Sequence, residues 1–352
     1  MPALMSETGP KTRVQPGRPL LHRIRTDRFT PIWLLAVVVF VISPVIAPGS
    51  MTPSALTAML PFAGVMAIAA LGQTLVITHG GIDLSVPGVM AIAAVCVTKL
   101  AQGNQLPTLV CVLLGIAAGA ISGLAIGVAV VRFSVAAFVA SLAVNSLLTG
   151  LVLVASGGFP GTADPDVSAF AVSSVAGIPT LFMLAVVLVV VAQLVLKQSV
   201  AGRRFVAVGA SVPAARIAGL RTSTHGVMAY VLAGIAYASA GMLLAAYLRT
   251  PDLQLGQSYQ LTTIAAVVLG GTLLRGGISS ITATAVAALF LTQLGQVVLA
   301  AGASTAMQLL IQAVVLAAAI VLRGVNWRHF VRARSETTPT EPRKPSPTGE
   351  SA

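Results

Sequence analysis

Acidic residues are scarce in this chain: its 352 residues include nine Asp and Glu against 21 Lys and Arg. Charged residues of both signs make up only 9% of it, where water-soluble domains carry roughly 25%. An ordinary soluble domain is therefore excluded. Cysteine is limited to Cys96 and Cys111, both inside apolar stretches, which leaves a buried structural role rather than a disulfide framework. The histidines His22, His79, His225 and His329 are scattered without metal-ligand spacing, so no metal site is expected. No Gly-Lys pair occurs, so there is no P-loop to hold ATP. With no G-x-S-x-G elbow and no paired acids in the apolar segments, no catalytic activity is expected.

What is abundant is apolar sequence. Hydrophobic residues make up 56% of the chain, and stretches of membrane-spanning length recur from residue 32 to residue 322. The fold class expected is an all-α membrane protein, a polytopic bundle of about ten transmembrane helices. The spans fall at about 32–47, 55–77, 84–100, 107–131, 135–155, 180–197, 225–248, 257–274, 278–301 and 304–322. The eighth is short and Gly-rich and is open to reading as a half-span or re-entrant segment. A basic tail at 1–30, a membrane domain at 31–322 and a basic tail at 323–352 divide the chain. The second tail is expected to be disordered, and the first helix is read as an uncleaved span. The net charge of +12 would suggest nucleic acid in a soluble protein. Here membrane topology explains it. With both termini cytoplasmic, nineteen of the 21 basic residues lie inside and only Lys99 and Arg249 outside.

Two long connections interrupt the spans. Residues 156–179 form an external segment without Lys or Arg, read either as a cover over a pore mouth, a partner contact or a plain loop. Residues 198–224 form the largest internal loop, in which "VPAARIAGL" reads as a short amphipathic helix. Its apolar face would be Ala214, Ile217, Ala218 and Leu220.

Asp83, in "GGIDLSVPG", stands between two apolar runs. A charge at bilayer depth costs about 2.5–3.5 kcal/mol on insertion scales. The residue types suggest a helix start with Asp83 or Ser85 capping free N–H groups and Pro87 in the first turn. A gating, pathway or proton-coupling role is the rival reading. Gly115, Gly119, Gly123 and Gly127 recur every four residues, a stripe for close helix packing or a groove along a path. Gly270, Gly271, Gly276 and Gly277 bracket Arg275, which is either a topological anchor or a contact at a gate or with a cytoplasmic partner.

Three stretches in order, "GGIDLSVPGVMAIAAV", "GRRFVAVGASVPAARIAGL" and "YQLTTIAAVVLGGTLLRGG", resemble the permease subunits of ribose-type ABC sugar importers, within the wider group that includes branched-chain amino-acid permeases. The similarity covers roughly residues 30–322. It implies a bacterial inner-membrane subunit, non-catalytic itself, that passes a sugar delivered by a periplasmic solute-binding protein. Its other partners would be the lipid bilayer, a second permease copy or a paralogue, and cytoplasmic ABC ATPase subunits, which would carry the ATP and Mg. In such permeases the large internal loop docks into the ATPase, which carries over to Gly202, Arg203, Arg204, Gly209, Ala214, Ala215 and Gly219. Asp83, Ser85, Gly270, Gly271 and Arg275 are candidates for the pathway or gate. The chain departs from the family at Pro87, where Gly is usual, and at "VASLAVNS" after Phe138, where a Thr-Leu-Gly run is usual; both departures bear on the solute. An ion-coupled transporter, or an ABC permease for an amino acid or nucleoside, stays open as the alternative.

Overall fold

The computed structural model describes residues 29–102 and 106–324. The two basic tails expected at 1–30 and 323–352 lie, but for a few residues, outside the described residues. In chain order the helices are α1 (Thr30–Ile46), α2 (Pro53–Thr78), α3 (Val86–Thr98), α4 (Thr108–Phe133), α5 (Ala137–Ser156) and α6 (Pro165–Val172). Then follow α7 (Thr180–Gln198), α8 (Val200–Ala210), α9 (Val212–Ile217), α10 (Thr222–Leu248), α11 (Tyr259–Leu269), α12 (Ile281–Ala300) and α13 (Thr305–Gly324). A 3₁₀ turn, Pro48–Met51, and a two-residue hairpin, β1 (Ser174–Val175) with β2 (Ile178–Pro179), complete the described structure.

Local chemistry sets several helix starts. Thr52 accepts a hydrogen bond from the Ala55 N–H just before Pro53, and Ser280 accepts from the Ala283 N–H ahead of α12. Ser199 and Ser211 do the same for α8 and α9. Each supplies a partner to an N–H that the helix cannot satisfy itself. Hydroxyls inside the apolar helices bond back to their own turn, as Thr74 does to the Ala70 carbonyl at 2.7 Å and Ser122 to that of Ala118 at 2.7 Å.

Among the described residues, six helices (α2, α4, α5, α7, α10 and α12) are long and apolar enough to cross a membrane; α1, α3, α11 and α13 as far as Val315 are apolar but shorter. Each expected span overlaps one of these ten. The structure corrects two of them. The span expected at 84–100 is helical only over Val86–Thr98, and that expected at 257–274 only over Tyr259–Leu269. Those helices measure about 20 and 17 Å at 1.5 Å per residue, against a hydrocarbon core of about 30 Å.

The centre of the bundle is the antiparallel pair α2 and α10. Gly72 lies against Ala233 and Ala236, while Gly81, farther along the chain, lies against Tyr230. Around this pair two halves repeat one order: long helix, short helix, then two more (α2–α5 and α10–α13). The first helix of each half packs on the short second helix and on the third helix of the other: α10 on α3 and α4, α2 on α11 and α12. Because α2 and α10 run in opposite directions, the halves form an inverted repeat. The long connection after α5 folds as α6 and the hairpin, and α6 packs on α7 and α10.

Candidate functional site

The short helices α3 and α11 occupy corresponding places in the two halves, and each joins non-helical chain. Backbone without helix at membrane depth is tolerated only where the protein supplies its hydrogen bonds. Residues 79–85, ahead of α3, receive those bonds from three elements. Leu84 donates its N–H to Ser141 Oγ of α5 at 2.9 Å, and its carbonyl accepts from Gln260 Nε2 of α11 at 3.2 Å. Gln73 of α2, with its amide turned to face its partners, accepts from the Asp83 N–H at 3.3 Å and donates to the Asp83 carbonyl at 3.2 Å and to Tyr237 Oη at 2.7 Å. Asn145 Oδ1 of α5 accepts from the Gly88 N–H in the first turn of α3 at 2.8 Å.

Asp83 itself is 1% exposed. Its Oδ1 accepts from the Ser85 N–H at 2.8 Å and from Ser85 Oγ at 2.7 Å, while Oδ2 is buried without a hydrogen-bond partner. The capping expected of Asp83 or Ser85 is thus replaced. Neither side chain reaches the first-turn N–H groups of α3, and Asn145 takes that position from another helix. Asp83 closes a local turn instead.

The break after α11 runs through Gly270, Gly271 and Arg275. A Cβ at Gly270 would meet the backbone of Thr284 at 2.8 Å, so α11 ends pressed against the start of α12. Gly271, Gly276 and Gly277 all have φ between 86° and 95°, which L side chains rarely adopt. The tip of this turn docks on the end of α2: the Gly277 N–H donates to the Thr78 carbonyl at 2.9 Å. Gly209 of α8 faces that same carbonyl. The largest internal loop and both helix breaks therefore meet at Thr78.

At the opposite end of α2 lies a cavity of about 660 Å³ between α2, α11, α12 and α13. Its polar lining is uncharged, with Gln296, Gln308 and Gln312, Thr262 and Thr292, and Tyr259; Phe62 and Met66 supply apolar wall. Gln296 is held in place by donating to the carbonyls of Ser50 at 3.0 Å and Ala55 at 3.1 Å. Gly295 gives the amides of Gln308 and Gln312 room to approach α12. The wall is mostly apolar, and the few polar groups set in it are uncharged amides and hydroxyls, which suit a neutral solute able to take a few hydrogen bonds.

Sequence comparison decides the kinship. The profile of the family described as branched-chain amino acid transport system / permease component matches residues 55–320. The chain belongs to this permease family. The permease is 32% identical over 306 residues to the ribose import permease protein RbsC of Escherichia coli K12, covering 84% of this chain and 95% of that protein. It is 32% identical over 297 residues to the ribose import permease protein of Bacillus subtilis, covering 84% and 91%. It is also 32% identical over 278 residues to the galactofuranose transporter permease protein YtfT of Escherichia coli K12, covering 77% and 81%. No solved structure matches it. The permease is a multi-pass protein of the bacterial inner membrane and a transport subunit of an ABC importer.

Several residues of the permease escaped the sequence reading. Gln73, Ser141, Asn145, Tyr237 and Gln260 hold the break at Asp83, and neutral amides and hydroxyls inside the bundle are more numerous than expected. Ser141 and Asn145 are two of the three polar members of "VASLAVNS", the run that departs from the family pattern. Isolated amides in apolar spans were the available signal. The glycine stripe of α4 faces α10: a Cβ at Gly119 would fall on the Gly234 carbonyl, at Gly123 on that of Tyr230, at Gly127 against Val227 and at Gly115 against Met242. None of the four faces the 660 Å³ cavity. In the internal loop, Gly202 faces Val195 and Leu196. The apolar face read in α9 points outward, with Ile217 89% exposed, while Ala215, counted with the docking residues, is buried.

Asp83→Asn keeps an oxygen for Ser85 and removes a carboxylate oxygen that has no partner. The expected result is a protein of unchanged or higher thermal stability that retains most uptake, while Asp83→Leu loses the turn and about 1–3 kcal/mol. Thermal unfolding and uptake in proteoliposomes check this. Loss of uptake by a folded Asp83→Asn protein would make the carboxyl group itself functional.

Proposed function

We propose that the permease forms the path for a sugar, a pentose, hexose or similar polyhydroxylated solute, in an ATP-driven importer. The ribose and galactofuranose permeases among its relatives carry this reading, and the uncharged amides and hydroxyls set in the mostly apolar cavity wall support it. A periplasmic binding protein hands over the solute, so the path needs only weak, sequential contacts. The subunit acts beside a second permease copy or paralogue, and ATP with Mg is bound and hydrolysed on cytoplasmic ATPase subunits. Ten crossings with both termini cytoplasmic fit the positive-inside distribution of Lys and Arg.

Coupling runs through the internal loop. Arg203, Arg204, Ala214 and Ile217 are exposed and make the contact with the ATPase; Gly202 and Gly209 seat the loop on α7 and α2. A push on α8 reaches Thr78 through Gly209, and from there both helix breaks. Gly219, with φ of 75° and open space around it, turns the chain back toward α10.

The test is a reconstituted complex of permease, ATPase and binding protein in vesicles, offered labelled pentoses and hexoses. ATP-dependent uptake that survives an uncoupler is expected, and uptake by the permease alone that an uncoupler abolishes would overturn the reading. Ile217→Asp places a charge on the docking knob. It should leave the permease folded, lower ATPase co-purification about tenfold or more, and uncouple hydrolysis from uptake. Normal co-purification would remove the loop from the contact.

A further inference from the structure

A second cavity, of about 520 Å³, lies on the outer face of the bundle between α7 and α10, floored by α2 and closed at one end by α8. Its walls are aliphatic: Leu188, Val191 and Val195 from α7, Met228 and Leu232 from α10, Leu71 from the floor. Val191 is 51% and Met228 41% exposed, so the groove opens sideways, away from the bundle interior. Along α10 it extends from Thr224 to Ser239, about 22 Å of helix at 1.5 Å per residue. That exceeds one leaflet of a hydrocarbon core about 30 Å thick.

The closed end is basic. Lys197 follows the lining residue Leu196, Arg203 and Arg204 lie between Gly202 and Phe205, and Arg221 precedes Thr224 and His225 by one turn. All four cations are exposed. Arg203 donates to the Gln198 carbonyl at 2.6 Å, and the His225 ring bonds the Arg221 carbonyl at 2.9 Å. No Asp or Glu occurs anywhere from residue 167 to residue 251, so this stretch of chain offers these cations no countercharge. A second copy of the chain docked symmetrically on this face would set the same cations against each other.

We infer that this groove holds one anionic phospholipid, with an acyl chain along α7 and α10 and its phosphate at Lys197 and Arg221. An apolar slot a leaflet deep with a ring of cations at the water boundary matches both parts of such a lipid. The bound chain lies against Phe205, whose ring stands edge-on to His79 with centroids 4.3 Å apart. The lipid therefore braces the end of α2 beside the Thr78 junction.

The full-length permease, purified and delipidated, is offered phosphatidylglycerol or phosphatidylcholine of matched chains, and bound lipid is counted by native mass spectrometry. Phosphatidylglycerol should be retained about tenfold better, a preference that falls to near parity in Lys197→Gln/Arg221→Gln. Met228→Trp fills the slot and should lose both lipids with no change in the number of permease chains per particle. Equal retention of the two lipids by the unaltered protein overturns the inference, as does an undiminished preference in the charge variant. A changed chain number in Met228→Trp also overturns it, in favour of an interface between copies.

Discussion

Gln73→Leu is expected to be among the most damaging single substitutions in the permease. The side chain serves both backbone groups of Asp83 and the hydroxyl of Tyr237, and all of these are buried. Leucine fills a similar volume and serves none of them. Each buried group left unpaired costs about 1–3 kcal/mol, so a total of about 3–9 kcal/mol is expected for the three, enough to unfold a marginal protein. The measurement is the thermal unfolding midpoint in detergent together with the monodisperse fraction after extraction. Gln73→Glu separates hydrogen bonding from shape: it retains an acceptor for the Asp83 N–H but loses the donor to the carbonyl. An intermediate loss is therefore expected. Wild-type stability in Gln73→Leu would mean that the break before α3 draws its support from elsewhere.

The second large effect lies at Gly123. A Cβ there would coincide with the Tyr230 carbonyl and approach the Val231 backbone at 2.8 Å. Backbone cannot swing aside as a long side chain can, so α4 and α10 must separate. Overpacking of this kind costs about 1–3 kcal/mol and sometimes more. Because α10 also packs on α2 and α3, the displacement spreads through the centre of the bundle. Gly123→Ala should therefore lower stability by at least that amount, and Gly123→Leu should yield no folded protein. Gly150 in α5 is the matched control, since a Cβ there meets nothing within 4 Å. Gly150→Ala should stabilise by about 0.4–1 kcal/mol, through the lower entropy of the unfolded chain. Opposite signs at two helical glycines would tie the effect to close approach rather than to helix propensity.

These two sites mark what the sequence disclosed and what it withheld. The spacing of Gly115, Gly119, Gly123 and Gly127 revealed a face without side chains, but a stripe on one helix does not name its partner. That partner, α10, begins nearly ninety residues after α4 ends. The break after α11 was legible because glycines crowd both sides of Arg275. The break before α3 was legible too, in Gly80, Gly81 and Asp83 ahead of Pro87, but what supports it was not. Its hydrogen-bond partners come from residues 73, 141, 145 and 260, and no local pattern links them. The internal loop was recognised with one short helix, but α8 ahead of it was not, and Ala215, counted with the docking residues, is buried. The inverted repeat was invisible for a related reason. It is a relation between packing partners, and the two halves need share no residue to satisfy it.

The scattered origin of the groups around Leu84 also has a consequence for biosynthesis. Its carbonyl finds its partner, Gln260, 176 residues later in the chain. At about 5–20 residues per second, the ribosome needs roughly 10 to 35 s to deliver that amide after Leu84 has been made. During the interval the Leu84 carbonyl lacks its final partner, so the α3 segment completes its hydrogen bonding only after α11 has been made.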